Sequence, residues 1–453
     1  MKKIIINSWI FLFLSGCNDS DLGKISINIE IERKILSNGM TLILLPDPSF
    51  PVVTYQTWFR VGTVDEEPGR SGFAKLFEHL YFSGTKKFQP EVFFKTLEGQ
   101  GVRFQATTSK DYTYFFETFQ PKLLKEIIEI ESDRMQNLDL SLQKISRAIS
   151  AVFEERRLGV AQNVTGQMEE ALWALALQGH SYSLPVGGIP QDLLKIDLES
   201  ASKFYSDYYH PSNAVVVVSG NFNASEVTDW IEAAYPKTDE RPTVKRETGV
   251  PFEMNAEYRL DLYSNVPSQR FLRGYRISQA SNNDSYALDV LANILFEGQS
   301  SILKKRLIDE LDWVTHLSGY AFTPTYPGLF FVGATLKEGV NTLDVEREVD
   351  RAIRKIQDQG VTDLEVKRAI RQLTMDLLGS LTDTNGMARL FGTIEVVLGN
   401  AANYEDEIEK YISITKDDVK RVADKYLDSN NRAIVVMNPN SMKPKNKKVK
   451  NEK

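Results

Sequence analysis

The sequence predicts an α+β protein of two homologous α/β domains, each a mainly antiparallel sheet packed with helices. Strand-like and helix-like stretches are mixed without regular βαβ alternation, which favours antiparallel sheets. The stretch "ASKFYSDYYHPSNAVVVVSG" runs helix, turn, apolar strand, and "VKRVADKYLDSNNRAIVVMNP" near the C-terminus does the same. Tyr208 and Tyr426 hold like positions in the two, 218 residues apart, so the repeat reads as a duplicated domain rather than a solenoid. The 453 residues leave room for this, and 42% apolar with 25% charged residues is the balance of a soluble protein with a sizeable core.

In chain order, residues 1–17 form a leader. "MKK" is a positive start and "IIINSWIFLFLSG" an apolar run too short to span a bilayer comfortably, as in a secretory signal. It ends in Leu14-Ser15-Gly16-Cys17, which resembles the bacterial lipobox, with Cys17 the lipidated residue. The expected location is the bacterial cell envelope, lipid-anchored on the periplasmic or extracytoplasmic face. Cys17 is the single cysteine, so no disulfide is expected. After a spacer (18–30), the first domain is expected over 31–236. "RKILSNGMTLILLPDPSFPVVTYQTWFRVGT" reads as two strands with a tight turn at Asn38-Gly39, and Val53 to Val61 alternates with period two. Gly72 to Gly84 reads as a helix, "RFQATTSKDYTYFFETF" as strand, Leu123 to Leu138 and 200–209 as helices, and "AVVVVSGNF" as a buried strand. A Pro- and charge-rich linker (237–251) leads to a second domain (252–440). The tail, 441–453, is basic and reads as disordered. The net charge of −7 argues against nonspecific nucleic-acid binding.

The chemistry centres on Lys75-Leu76-Phe77-Glu78-His79. With His at 75 this would be H-x-x-E-H, an inverted zinc-protease signature. On a helix, i, i+3 and i+4 share one face. In that motif two histidines hold zinc and the glutamate activates water, so a further ligand must come from elsewhere. A Glu-His pair on a helix, taken alone, is more often structural than catalytic. His180, His210 and His316 read as structural or surface residues. Gly187-Gly188 reads as a turn, because no phosphate-loop Lys-Ser/Thr follows. Asn163-Val164-Thr165 and Asn223-Ala224-Ser225 match glycosylation sequons, a pattern common by chance.

The blocks "VGTVDEEPGRSGFAKLFEHLYFSGTKKF", "FQATTSKDYTYFFETF", "EIESDRMQNL", "AVFEERR", "GHSYSLPVGGIPQDL" and "YYHPSNAVVVVSGNF", with "LFEGQSSILKKRLIDEL" and "TKDDVKRVADKYLDSNNRAIVV" in the second half, resemble the pitrilysin and mitochondrial processing peptidase family of zinc metallopeptidases. The resemblance covers nearly the whole chain after residue 30. It implies a metal site with His79 as second ligand and Glu155 as distal ligand, and Glu78 as catalytic general base. Glu154 is the near miss beside Glu155. Lys75 stands at the first ligand position and departs from the family. So does Ala148, where an acidic residue is common. The substrate-binding strand is implied at Gln105, Ala106 and Thr107, within an edge running to Ser109. An Arg and a Tyr that hold substrate in many members fall at Ile308 and Thr315, which implies a homologous partner subunit to complete a site.

A lysine amine binds zinc only when neutral. Keeping a group of reference pKa near 10.4 neutral at pH 7 costs about 4.6 kcal/mol. Structural zinc returns on the order of 10–16 kcal/mol, but a protonated amine is easier to accommodate and would repel Zn²⁺ while pairing with Glu78 or Glu155. Three functions follow. The first is a lipid-anchored, catalytically silent subunit that binds peptides by β-augmentation or pairs with a homologous subunit. The second is an active zinc endopeptidase on short or unfolded peptides, with Glu78 as base. The third is a scaffold with no turnover.

Overall fold

The computed structural model describes residues 29–90, 97–235, 244–246 and 248–444. The leader, Cys17 and most of the spacer lie outside the described residues, as do most of the tail, residue 236, and residues 237–243 and 247 of the linker. Among the described residues no helix is long and apolar enough to cross a membrane.

Among the described residues, the first sheet has six strands: β1 (Glu32–Ile35), β2 (Thr41–Pro46), β3 (Val53–Phe59), β4 (Arg103–Thr108), β5 (Thr113–Phe119) and β6 (Ala214–Gly220). Their spatial order is β1-β2-β6-β3-β5-β4. The second has five: β7 (Tyr258–Ser264), β8 (Arg270–Ile277), β9 (Val314–Phe322), β10 (Gly328–Leu336) and β11 (Arg432–Pro439), in the order β7-β11-β8-β10-β9. Each sheet has one parallel pair, β2 with β6 and β7 with β11, and is otherwise antiparallel. The duplication and the mainly antiparallel sheets are as the sequence predicts.

Three readings need correction. The first segment holds three strands, not two. Short β1 pairs with β2 across the Asn38-Gly39 turn, where Gly39 takes φ +82° and Asn38 Nδ2 donates to Tyr235 O at 2.9 Å. The strand-like stretch 103–119 is a hairpin of two strands, β4 and β5. The helix expected over Gly72 to Gly84 covers only Phe73–Leu80, because the chain turns from Tyr81 to a left-handed Gly84. In the linker, Arg246 is pinned to the first half: its Nε donates to Asp65 Oδ1 at 2.9 Å and its Nη2 to Asp111 O at 2.7 Å.

Among the described residues, the helices of eight residues or more are α1 (Phe73–Leu80), α2 (Leu124–Asn137), α3 (Leu142–Arg156), α4 (Val164–Ala176), α5 (Leu198–Tyr208), α6 (Ala224–Ala234), α7 (Asp284–Phe296), α8 (Thr342–Gln359), α9 (Asp363–Ser380), α10 (Thr384–Thr393), α11 (Tyr404–Ile412) and α12 (Lys416–Tyr426). One face of each sheet packs on its own half's helices. Leu42, Leu44, Val216 and Val218 meet α1, α2 and α6 in the first core, and Phe271, Phe330 and Val436 meet α7, α8 and α12 in the second. The opposite faces are covered reciprocally. Ile43, Leu45, Val215 and Val217 lie under Met387, Phe391 and Ile408 of α10 and α11. Leu329, Ala433 and Val435 lie under Met168 and Leu172 of α4. This exchange explains why β2 and β6 read as unbroken apolar runs: both faces of each strand are buried. Buried polar ties follow the same seam. Thr54 and Thr384 hydroxyls lie 2.7 Å apart, Gln56 Nε2 donates to Asn385 Oδ1 at 2.8 Å, and Arg33 bonds the buried Glu395 at 2.8 and 2.9 Å.

Candidate functional site

Helix α1 is fixed at its start before it presents any chemistry. Gly72 takes φ +97°, and a Cβ there would lie 3.0 Å from Gly188 Cα. Gly188 itself has φ +67°, so the Gly187-Gly188 turn lets two backbones touch. Glu66 accepts the N–H groups of Gly72 and Ala74 at 2.8 and 2.9 Å, meeting donors that a helix start leaves unpaired. Burial pushes the Glu66 carboxyl up to about 8, although both N–H groups pull the other way. Phe73, Leu76, Phe77 and Leu80 face the core, and Phe77 packs near-parallel to Tyr205. That leaves Lys75, Glu78 and His79 on the stripe facing β4 and α3.

There the side chains meet. Lys75 Nζ lies 2.9 Å from Glu78 Oε1 and 2.8 Å from Glu155 Oε1. His79 Nε2 lies 3.1 Å from Glu155 Oε2. Thr108, the last residue of edge strand β4, donates its hydroxyl to Glu78 Oε2 at 2.6 Å. Burial works against the Lys75 ammonium, but Glu78 and Glu155 together outweigh it and hold its pKa above the ordinary lysine value. The His79 hydrogen bond, aided by Lys75, holds the Glu155 carboxyl down to about 2 against partial burial. The ammonium thus bridges two carboxylates.

These residues do not fit a resident zinc ion. An ammonium has no lone pair to give. It spends one oxygen of each glutamate, while Thr108 and His79 engage the other two. Among the described residues no group of three or more His, Cys, Asp or Glu side chains is arranged to hold a metal ion. The sequence raised Glu78 and Glu155 as alternative partners for Lys75, and both pair with it. Glu154 instead points outward to Arg157, and Ala148 is buried in the first core.

The strand residues Gln105, Ala106 and Thr107 lie on β4, the outermost strand of the first sheet, opposite Phe116, Phe115 and Tyr114 of β5. Gln105 and Thr107 are exposed, whereas Phe104 and Ala106 pack on the core. Ile308 packs against the second core, and Thr315 donates to Thr335 O at 3.2 Å. His180 accepts the Tyr182 N–H at 3.0 Å, and burial lowers its pKa to about 4. His210 is buried and its Nδ1 lies 2.8 Å from Ser212 Oγ. His316 is exposed on β9. Asn163 and Asn223, the sequon asparagines, cap α4 and α6 through their side-chain oxygens.

The sequence does not show what adjoins the site. A cavity of about 370 Å³ runs from Lys75, Thr108 and Glu155 to Lys110 and Trp173. Lys110 is buried, donates to Tyr182 O and Leu184 O at 2.8 and 2.7 Å, and lies 4.8 Å from the Trp173 ring centroid. Burial pushes its pKa down to about 7. A lysine at a hairpin turn looks solvated in sequence, and only the approach of residues 182–184 and α4 reveals otherwise.

A duplicated two-sheet fold, with a Glu-His helix facing a distal glutamate, defines the class of inverted-motif metallopeptidases and their altered descendants. Comparison with known proteins makes this specific. "Insulinase (Peptidase family M16)" matches residues 42–188, and "Peptidase M16 inactive domain" matches residues 195–373. The chain belongs to peptidase family M16, the pitrilysin family. It is similar to the zinc protease PqqE of Helicobacter pylori, 25% identical over 413 residues, covering 90% of this chain and 93% of that one. It is also similar to the probable mitochondrial-processing peptidase subunit beta of Arabidopsis thaliana, 23% identical over 422 residues, covering 89% of this chain and 77% of that protein. Among solved structures, a protease from Helicobacter pylori shares the fold with a TM-score of 0.86 at 23% identity, covering 91% of this chain and all of that one. A putative M16-like peptidase from Alicyclobacillus acidocaldarius does so with a TM-score of 0.82 at 20% identity, covering 92% of this chain and 99% of that one.

Proposed function

We propose that this chain is a catalytically silent M16 protein, lipid-anchored at Cys17 in the bacterial envelope, that holds extended peptides along β4 and works beside a homologous subunit. The observation that carries the reading is the Lys75 ammonium lodged between Glu78 and Glu155. It supplies the positive charge the two carboxylates need, so the local structure stands without metal. Glu78 is then occupied as an ion-pair partner and hydrogen-bond acceptor rather than free to take a proton from water. Thr108 links the end of β4 to this cluster, so the edge strand is held in register beside it. An edge strand offers unpaired main-chain groups to an extended peptide, whose alternate side chains would meet exposed Gln105 and Thr107. A homologous partner is supported by Ile308 and Thr315, which supply no guanidinium or phenol, and by a relative whose name marks it as a subunit.

The active-endopeptidase reading draws on relatives named zinc proteases, and the same experiment judges it. Residues 18–453 are incubated with unstructured peptides and zinc, beside a Lys75→His variant. Peptide binding without cleavage by the native chain is expected. Cleavage by the native chain, abolished by Glu78→Gln, would overturn the proposal. Absence of both binding and cleavage would leave the scaffold reading in its place.

A further inference from the structure

Among the described residues Lys110 is a buried cation without an ion-pair partner. It is 6% exposed, and its ammonium spends two of three N–H donors on the main-chain carbonyls of Tyr182 and Leu184. The Trp173 ring lies against it at 4.8 Å. Buried charges are ordinarily paired, yet the carboxylates that act on Lys110 are all engaged elsewhere. Glu66 accepts the N–H groups of Gly72 and Ala74, and Glu170 holds Arg156 at 2.8 and 3.1 Å. Asp111 accepts the Tyr182 hydroxyl and the Thr325 N–H. A pKa near 7 is what burial gives an amine whose charge is not offset.

This amine lines the cavity of about 370 Å³ that also takes in Lys75 and Thr108. The volume is in the range of small-ligand pockets. Lys75 likewise keeps one donor after serving Glu78 and Glu155. Thr108 ends the edge strand β4, so a peptide laid along that edge reaches the cavity with one of its ends. The charges choose which end. Glu155 is bound by Lys75 and His79, and Glu170 by Arg156. Glu169 also lines the cavity and has no hydrogen bond or ion pair among the described residues, but it is exposed and solvated. Lys110 is buried, so it gains more from an arriving counter-ion.

We propose that this cavity is a subsite for the C-terminal carboxylate of a bound peptide, with Lys110 as the anchor and Lys75 beside it. A carboxylate accepting from an ammonium makes a charge-assisted hydrogen bond, about twice as strong as a neutral one. The inference rests on the peptide-holding part of the reading above and narrows it. The ligands are peptides that end at the cavity, not chains that pass through it. Hydrolysis of a peptide bond by another enzyme is the class of reaction that supplies such ends.

Residues 18–453, which include every described residue, are titrated calorimetrically with unstructured mixed-sequence peptides. The peptides are acetylated at the amino end and finish in either a free carboxylate or an amide. The carboxylate form is expected to bind the native chain about tenfold or more tightly. Lys110→Gln keeps N–H donors for the two carbonyls but loses the charge, and it should bind both forms alike, with a thermal melt checking its fold. Equal binding of both forms by the native chain, a comparison that needs no variant, would overturn the proposal. So would a preference undiminished in folded Lys110→Gln. Tighter binding of a peptide with a free amino end and an amidated carboxyl end, lost in Glu169→Gln, would reverse the polarity of the site and overturn it too. Binding of neither form overturns the peptide-holding reading itself, so the two failures are distinguishable.

Discussion

The two halves share a scaffold but not a site. Helices α1 and α7 follow corresponding strands, β3 and β8, and α5 and α12 end at Tyr208 and Tyr426. Just beyond each of the latter pair an asparagine closes the turn in the same way. Asn213 Nδ2 donates to Tyr208 O, and Asn431 Nδ2 to Tyr426 O, both at 2.8 Å. What both halves keep is what the fold requires. Helix α7 is buried along almost all its length and meets its own sheet through Ala287, Leu291 and Leu295. Helix α1 keeps one apolar face and turns the other, with Lys75, Glu78 and His79, toward Glu155. The charged cluster is therefore an addition to the scaffold, and its residues can be changed without touching the core.

The largest expected effect lies under that addition. Arg134 is buried, donates to Tyr81 O at the end of α1 at 3.0 Å, and pairs with both Glu131 and Glu117. Burial, then Glu131, raise the pKa of Glu117 well above its ordinary value. Arg134→Met leaves two buried carboxylates without a cation and should cost roughly 3–5 kcal/mol in urea denaturation. Next is the seam between halves. A Cβ on Gly392 would lie 2.4 Å from the Trp58 ring, so Gly392→Val should cost about 1–3 kcal/mol through overpacking. If both halves unfold together, one transition shifts; two transitions would show that the exchanged helices do not bind the halves into one unit. Lys75→Met should cost less, about 1–2 kcal/mol, since it strips the mostly buried Glu78 of its partner while exposed Glu155 recovers water.

The smallest effects separate the halves by pH. Glu66 at the start of α1 is raised to about 8, so its contribution to stability is present below the usual glutamate range near 4.5 and lost as pH rises toward about 8. Asp284 at the start of α7 is opposite. Burial opposes its charge, but Lys425, Tyr426 and Arg421 hold it down to about 2. Its contribution is present above 3.8 and lost as pH falls toward about 2. In thermal melts across pH, Glu66→Gln should remove the fall in stability between about pH 4.5 and 8, and Asp284→Asn should flatten only the acid side below 3.8.

Much of this was legible in sequence because it is local. Period-two strands, the repeat around Tyr208 and Tyr426, and the i, i+3, i+4 spacing of Lys75, Glu78 and His79 are short-range patterns. Glu155 was reached only through resemblance, since nothing near residue 155 says which helix it will face. The exchange of helices between sheets was not legible: Met387 and Phe391 look like any amphipathic face, and only long-range contact shows whose sheet they cover. Glu66 and Lys110 were missed for the same reason. Each is an ordinary charged residue in a loop or turn until the chain closes over it.

The central claim is that the Lys75 ammonium fills the place of a metal ion. Bound zinc per chain, measured on purified residues 18–453 after exposure to zinc and removal of excess, tests it most directly. The expected result is far less than one zinc in the native chain and close to one in Lys75→His. One tightly held zinc in the native chain, lost in Lys75→Met, would contradict the account.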